Sequence, residues 1–265
     1  MTPEDDRGGF EVIPAVDILG SEAVRLVRGD FDRIALRDPD PVGLACRFAG
    51  AGARRLHVVD LDGARSGRLR PEVVAAIAAA VQPARVQASG GIRSVADAEA
   101  LLAAGADRVV VGTAAFERSG VERFASALGE RLVVAVDVRD GRVAVRGWES
   151  DAGIDAETAA ERCAAAGVAR LLCTAVERDG TLGGPHLELL ERVREASGLP
   201  VVAAGGVRSE TDLAALAAVG CEGAVVGRAL LEGSLPLSAL GRAVPREGSS
   251  TARSPGASPR ETAAR

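Results

Sequence analysis

The sequence predicts an α/β chain closed into a (βα)8 TIM barrel built from two half-barrel repeats, and three observations carry that reading. Short Val/Ile/Leu-rich runs alternate with Ala/Leu/Glu/Arg stretches of helical length, the pattern of a parallel sheet with helical crossovers. Eight such units can be counted, which suits a chain of 265 residues folded as one domain. Residues 86–117 also align with 201–232 at a constant offset of 115, without a gap, and 16 of the 32 positions are identical. Self-similarity of that kind favours a closed, repeated barrel over an open doubly wound sheet.

In chain order, the predicted strands are 11–17, 55–60, 85–88, 108–111, 132–137, 170–174, 200–203 and 223–226. Each is a short apolar run of the kind that a parallel sheet buries on both faces. Ser94 with Asp97, and Ser209 with Asp212, have capping-box spacing and mark two helix starts. A weaker echo links Ala15-Val16-Asp17 to Ala135-Val136-Asp137, so each half is expected to carry equivalent sites. The barrel is expected to fill 10–244. Residues 1–9 and 245–265 are expected to be loose, the latter because its Pro, Arg, Gly, Ser and Thr offer too little apolar surface to offset the entropy of ordering.

Composition narrows the chemistry. A net charge of −5 spread along the chain gives no basic face for a nucleic-acid backbone. No apolar run reaches the ~18 residues of a membrane span, and the acidic, polar start does not read as a leader, so a cytoplasmic location is expected. Cys46, Cys163, Cys173 and Cys221 stand far apart and read as reduced core thiols. All 32 basic residues are Arg, which excludes Schiff-base catalysis and lysine-dependent phosphate loops. His57 and His186 are too few and too separated for a metal site, and His57 reads as a core or rim residue. No cofactor or metal is expected, and the partner expected is a small molecule met by a monomer.

Asp17 and Asp137 end apolar strands 1 and 5, on opposite sides of the predicted barrel, where barrel enzymes place catalytic side chains. One can stay ionised as a base while its partner keeps a proton as an acid, because environment separates two carboxylate pKa values. Glycine lets backbone N–H groups approach a phosphate closely, so Gly90, Gly91, Gly112 and Thr113 form one anion cradle, and Gly205, Gly206, Gly227 and Arg228 the other. Two cradles predict a ligand with two phosphates. Thr174 ends strand 6 and can bond a substrate hydroxyl, whereas Asp60, Asp62 and Asp179 read first as residues that order loops.

From about Phe10 to Leu240 the chain resembles the phosphoribosylformimino-aminoimidazole-carboxamide-ribotide isomerase family of histidine biosynthesis. The carrying segments are Ile13-Pro14-Ala15-Val16-Asp17, Val24-Arg25-Leu26-Val27-Arg28-Gly29-Asp30-Phe31, His57-Val58-Val59-Asp60-Leu61-Asp62-Gly63, Gly90-Gly91-Ile92-Arg93, Val111-Gly112-Thr113-Ala114, Arg146-Gly147-Trp148, Arg178-Asp179-Gly180-Thr181 and Gly205-Gly206-Val207. The resemblance implies an aldose-to-ketose (Amadori) rearrangement of a bisphosphorylated ribonucleotide, with Asp17 as general base and Asp137 as general acid.

Ser89, the run 146–151 and Leu182-Gly183-Gly184-Pro185 are similar to the actinobacterial bifunctional phosphoribosyl isomerase, which also acts on phosphoribosylanthranilate for tryptophan synthesis. That likeness implies substrate recognition by Arg25, Arg146 and Trp148, and Ser89, Thr174 and Asp179 complete the set of expected substrate contacts. Two departures keep the histidine-pathway activity primary: Ala175 follows the strand-6 threonine where an acidic residue is usual, and the strand-5 loop, read as 138–146, is short. Any anthranilate-series activity is therefore expected to be the weaker. The related cyclase subunit of imidazole-glycerol-phosphate synthase would have a lysine near its first aspartate, which this chain lacks. A non-catalytic ligand-binding barrel is a third possibility, disfavoured by the presence of both Asp17 and Asp137.

Overall fold

The computed structural model describes residues 9–242. Apart from Gly9, the ends expected to be loose, 1–9 and 245–265, lie outside the described residues. Eight parallel strands close the barrel in the order β1 (Glu11–Leu19), β4 (Arg55–Asp60), β5 (Arg85–Ser89), β6 (Arg108–Val111), β7 (Leu132–Arg139), β10 (Arg170–Ala175), β11 (Val201–Ala204) and β12 (Gly223–Val226). Pairing of β12 with β1 and of β10 with β7 completes the ring. The predicted strands fall on these eight, with no end displaced by more than two residues, and the (βα)8 barrel is the observed fold.

Two antiparallel excursions were not foreseen. After β1 the chain runs out as β2 (Glu22–Val27) and β3 (Asp30–Asp38), and after β7 as β8 (Arg142–Val145) and β9 (Ser150–Asp155). They extend barrel strands 1 and 5, the two that carry Asp17 and Asp137. The segment read as a short loop, 138–146, is therefore the end of β7 followed by the first arm of a hairpin, which removes the loop-length argument against a second substrate.

Helices cover the outside, and local chemistry starts them where expected. Ser94 caps α4 (Val95–Ala103) with a complete capping box: its Oγ accepts from Asp97 N at 3.1 Å, and its own N–H donates to Asp97 at 2.8 Å. Ser209 caps α8 (Glu210–Ala218) in the same way, but the returning Asp212 carboxylate takes the Arg208 N–H at 3.0 Å. His186 caps α7 (Leu187–Ser197), its Nδ1 accepting from Leu189 N at 3.3 Å. Among the cysteines, Cys163, Cys173 and Cys221 are buried as expected, whereas Cys46 is exposed on α1 (Pro41–Gly50). No helix among the described residues is long and apolar enough to cross a membrane.

The pleat of the strands organises the interior, because side chains alternate between the barrel lumen and the helix layer. The lumen's middle layer is a small apolar cluster of Ile13, Val110, Val133, Ala135, Leu172 and Val202. At the amino-terminal end lies an ionic floor: Arg55 pairs with Glu11 and Asp107, while Arg108 and Arg170 both pair with Glu222, at 3.6 and 3.0 Å. Four residues above Ile13 and Val133, the same alternation brings Asp17 and Asp137 inward at the carboxyl-terminal mouth.

Candidate active site

A cavity of about 190 Å³ opens at that mouth, with Asp17, Asp137, Thr174, Ser89, Asp179 and Trp148 in its wall. Register fixes much of this arrangement. Thr174 lies beside Asp137 across the β7–β10 pairing, and Asp17 lies beside Val59 of β4.

The two aspartates have different neighbours. Asp17 is 9% exposed and its Oδ2 accepts from Arg25 Nη1 at 2.8 Å. Burial pushes its pKa up, Arg25 opposes that rise, and nearby Asp179 adds to it. Asp137 accepts from the Trp148 indole N–H at 2.8 Å, and the Thr174 side chain beside it also favours its ionised form. Burial raises its pKa as well, but the donors opposing the rise are neutral. A guanidinium faces one carboxylate and none bonds to the other, the kind of asymmetry that can set two carboxylate pKa values apart.

Arg25 comes from β2, so the unforeseen first hairpin supplies the charge beside Asp17. Its second amino group donates to Asp179 at 2.6 Å. Against the cost of burial, the two carboxylates raise the pKa of Arg25 and keep it charged. Asp179 sits on the segment after β10, which packs against the same hairpin: Arg28 N donates to Asp179 O at 3.2 Å, and a Cβ on Gly180 would lie 2.5 Å from Leu26 O. Asp179, expected to order its loop, is also the second anchor of Arg25, and it brings a carboxylate into the cavity where Ala175 has none.

The second hairpin contributes Trp148, whose ring lies over Gly29 of the first. A Cβ there would come within 2.6 Å of the indole, and Gly29 has φ +71°. The two excursions thus meet above the cavity. Arg146 is brought to the mouth by its backbone alone: its N–H donates to Thr113 Oγ1 at 2.7 Å while its side chain is exposed and does not line the cavity.

The glycine cradles divide similarly. Gly205, Gly206, Gly227 and Arg228 line the cavity, and Arg228 is steadied by Glu232 and by Gly180 O, at 2.7 and 3.0 Å. Gly90, Gly91, Gly112 and Thr113 do not line it. The paired glycines nevertheless share one backbone shape, with φ +103° and +77° at Gly90 and Gly91 and +92° and +83° at Gly205 and Gly206. Both pairs press against neighbouring loops, since a Cβ on Gly90 or Gly206 would lie 2.2 Å from a carbonyl oxygen, Asp60 O or Gly184 O.

Asp60 and Asp62 share Arg70, and Asp62 also takes the Gly20 N–H at 2.6 Å. His57 is a wall residue with a partner that sequence reasoning missed, Gln87, wholly buried in the lumen. The available signal was a polar residue inside the apolar run Val86-Gln87-Ala88. Among the described residues, no three His, Cys, Asp or Glu side chains are grouped to hold a metal.

Comparison with known proteins gives a consistent result. The family model described as "Histidine biosynthesis protein" matches residues 11–236. A relative from Thermomicrobium roseum is 52% identical over 226 residues, 84% of this chain and 92% of its own length. One from Sorangium cellulosum is 48% identical over 234 residues, covering 86% and 97%, and one from a Synechococcus strain is 45% identical over 237 residues, covering 89% and 94%. All three are named as isomerases of 1-(5-phosphoribosyl)-5-((5-phosphoribosylamino)methylideneamino)imidazole-4-carboxamide. With the family model spanning most of the barrel and relatives this similar along nearly their whole lengths, the chain belongs to the histidine biosynthesis protein family.

Proposed function

We propose that this barrel is the aldose–ketose isomerase that its relatives are named for, acting on a ribonucleotide that carries a phosphoribosyl group at each end. The observation that carries the reading is the pair of inward aspartates, Asp17 and Asp137, lining one cavity from opposite strands with unlike partners.

Asp137, whose bonding partners are uncharged, keeps its proton and delivers it to the furanose ring oxygen. The C1′–oxygen bond then breaks and the amine nitrogen supplies the electron pair, leaving an iminium. Asp17, held beside Arg25, removes the proton from C2′, and the electron pair of that bond moves into the C1′–C2′ bond. Tautomerisation of the resulting enaminol gives the aminoketose. One acid and one base balance every proton, so the reaction itself requires no redox group.

Gly205, Gly206, Gly227 and Arg228 are assigned to one phosphate, and Gly90, Gly91, Gly112 and Thr113 to the other. Gripping both ends would hold the ribose over the aspartates and use remote binding energy for positioning. Turnover of the ribotide by the purified chain tests the activity, and a structure with a bisphosphorylated product analogue tests the grip. Absence of turnover refutes the activity; both phosphates in one half, or only one held, refutes the paired cradles.

A further inference from the structure

Two polar side chains interrupt the apolar middle layer of the lumen. His57 of β4 and Gln87 of β5 are register partners, and Gln87 in turn faces Arg108 of β6. All three are buried, at 7%, 0% and 3% exposure, and hydrogen bonds join them in series. Arg108 Nε donates to Gln87 Oε1 at 2.5 Å, and Gln87 Nε2 lies 2.8 Å from His57 Nδ1.

The chemistry of these groups fixes every proton in the series. A guanidinium has no acceptor, so the Gln87 atom facing it is the oxygen and the atom facing His57 is the NH₂. That NH₂ can only donate, so His57 Nδ1 must be bare and the ring proton must sit on Nε2. An imidazolium is excluded by the same geometry, because Nδ1–H would confront another donor. Burial, with the positive charges of Arg108 and Arg25, pushes the His57 pKa down to about 3, in agreement. Nε2 is not among the buried nitrogens and oxygens left without a partner, and His57 lines the cavity beside Asp17 and Ser89. The N–H therefore opens toward the ligand space.

Building on the isomerase reading above, we propose that Gln87 and Arg108 are positioning residues that hold His57 as a neutral Nε2–H donor to a sugar oxygen of the substrate. His57 lies on the strand next to Asp17 and one layer below it, since Ala15 and His57 are register partners. The oxygen within reach is one near the carbon that Asp17 deprotonates. A donor that remains uncharged orients the sugar without competing with either aspartate for a proton. A purely structural role would be met by an aliphatic residue, as at the other positions of this layer.

The test combines imidazole ¹⁵N NMR with kinetics, and only two histidines must be told apart. Wild-type His57 should show a protonated Nε2 and a bare Nδ1. In Gln87→Glu the carboxylate still pairs with Arg108 but accepts from His57, which moves the ring proton to Nδ1. The expected result is a kcat lowered about tenfold with native circular dichroism, in line with one lost hydrogen bond to the reacting sugar. His57→Gln, whose amide reaches the Nε2 position, should keep more of the rate than His57→Leu, and that pair decides the matter if Gln87→Glu does not fold. A wild-type Nδ1–H ring, a Gln87→Glu protein that switches tautomer yet turns over normally, or a His57→Leu protein at wild-type rate would each overturn the proposal while leaving the isomerase reading intact. If the wild-type chain does not turn over the ribotide, the isomerase reading fails and the substrate role of His57 fails with it.

Discussion

Replacing Arg25 by glutamine tests the assignment of Asp17 as base most directly. In the folded chain Arg25 holds Asp17 at 2.8 Å and Asp179 at 2.6 Å, so the substitution removes a charge shared by two buried carboxylates. An opposite charge this close favours the ionised carboxylate by about one to three pH units. The sign is fixed: Asp17 must be ionised to accept the C2′ proton, Arg25 favours ionisation, and its removal moves the acid limb of the kcat–pH profile upward. At a pH on that limb kcat falls about tenfold, and it recovers at higher pH. Stability falls as well, by about 3–5 kcal/mol if both carboxylates stay ionised, so profiles are recorded well below the melting temperature of the variant. An acid limb that does not move, in a folded variant that still turns over, would show that Asp17 is not the group whose ionisation the rate follows.

Asp17→Asn and Asp137→Asn should each lower kcat by about 10²-fold or more while ligand binding survives, as calorimetry with a product analogue would show; near-normal turnover in either would undo its role. Asp137→Asn should also raise thermal stability at neutral pH. Burial lifts the folded-state pKa of Asp137 above 3.8, so its contribution is fully present below that value and is lost as pH rises through the folded pKa. Melting curves should therefore separate from wild type at pH 7 and converge at low pH, and a variant destabilised at pH 7 would contradict this. Gly29→Ala should displace the indole, since the added methyl would lie 2.6 Å from the ring at a backbone φ of +71°. Trp148 is the only Trp and the chain has no Tyr, so a red shift in intrinsic fluorescence reports the displacement, and an unchanged spectrum argues against the packing.

The barrel was legible because each strand is buried on both faces and so reads as a short, mostly apolar run. The hairpins were not, because their buried first arms, β2 and β8, are short and their second arms lie on the surface at the mouth. In β3 and β9 exposed residues alternate with half-buried ones and none is fully buried, so composition does not mark them as strands. The same difference divides the site. Asp17 and Asp137 stand out as charges closing apolar strands, whereas Arg25 entered only through the resemblance, since nothing within β2 shows that it turns back beneath its own hairpin. Asp179 was visible as a residue but not as a partner of Arg25, which lies 154 positions away. Gln87 and Arg108 were missed because their meaning comes from strand register, and register is set by closure of the whole ring.

The ionic floor has a consequence for traffic. Arg55, Arg108, Arg170, Glu11 and Glu222 close the amino-terminal end of the lumen with paired charges, directly beneath a tightly packed aliphatic layer. The vessel is thus open at one end only. Whatever enters by the mouth must leave by the mouth, past the same two hairpins, so an outgoing aminoketose and an incoming aldose cannot pass each other. Occupancy is strictly one at a time, and the product is expected to act as a competitive inhibitor of its own formation, with departure timed by the hairpins that admitted the substrate.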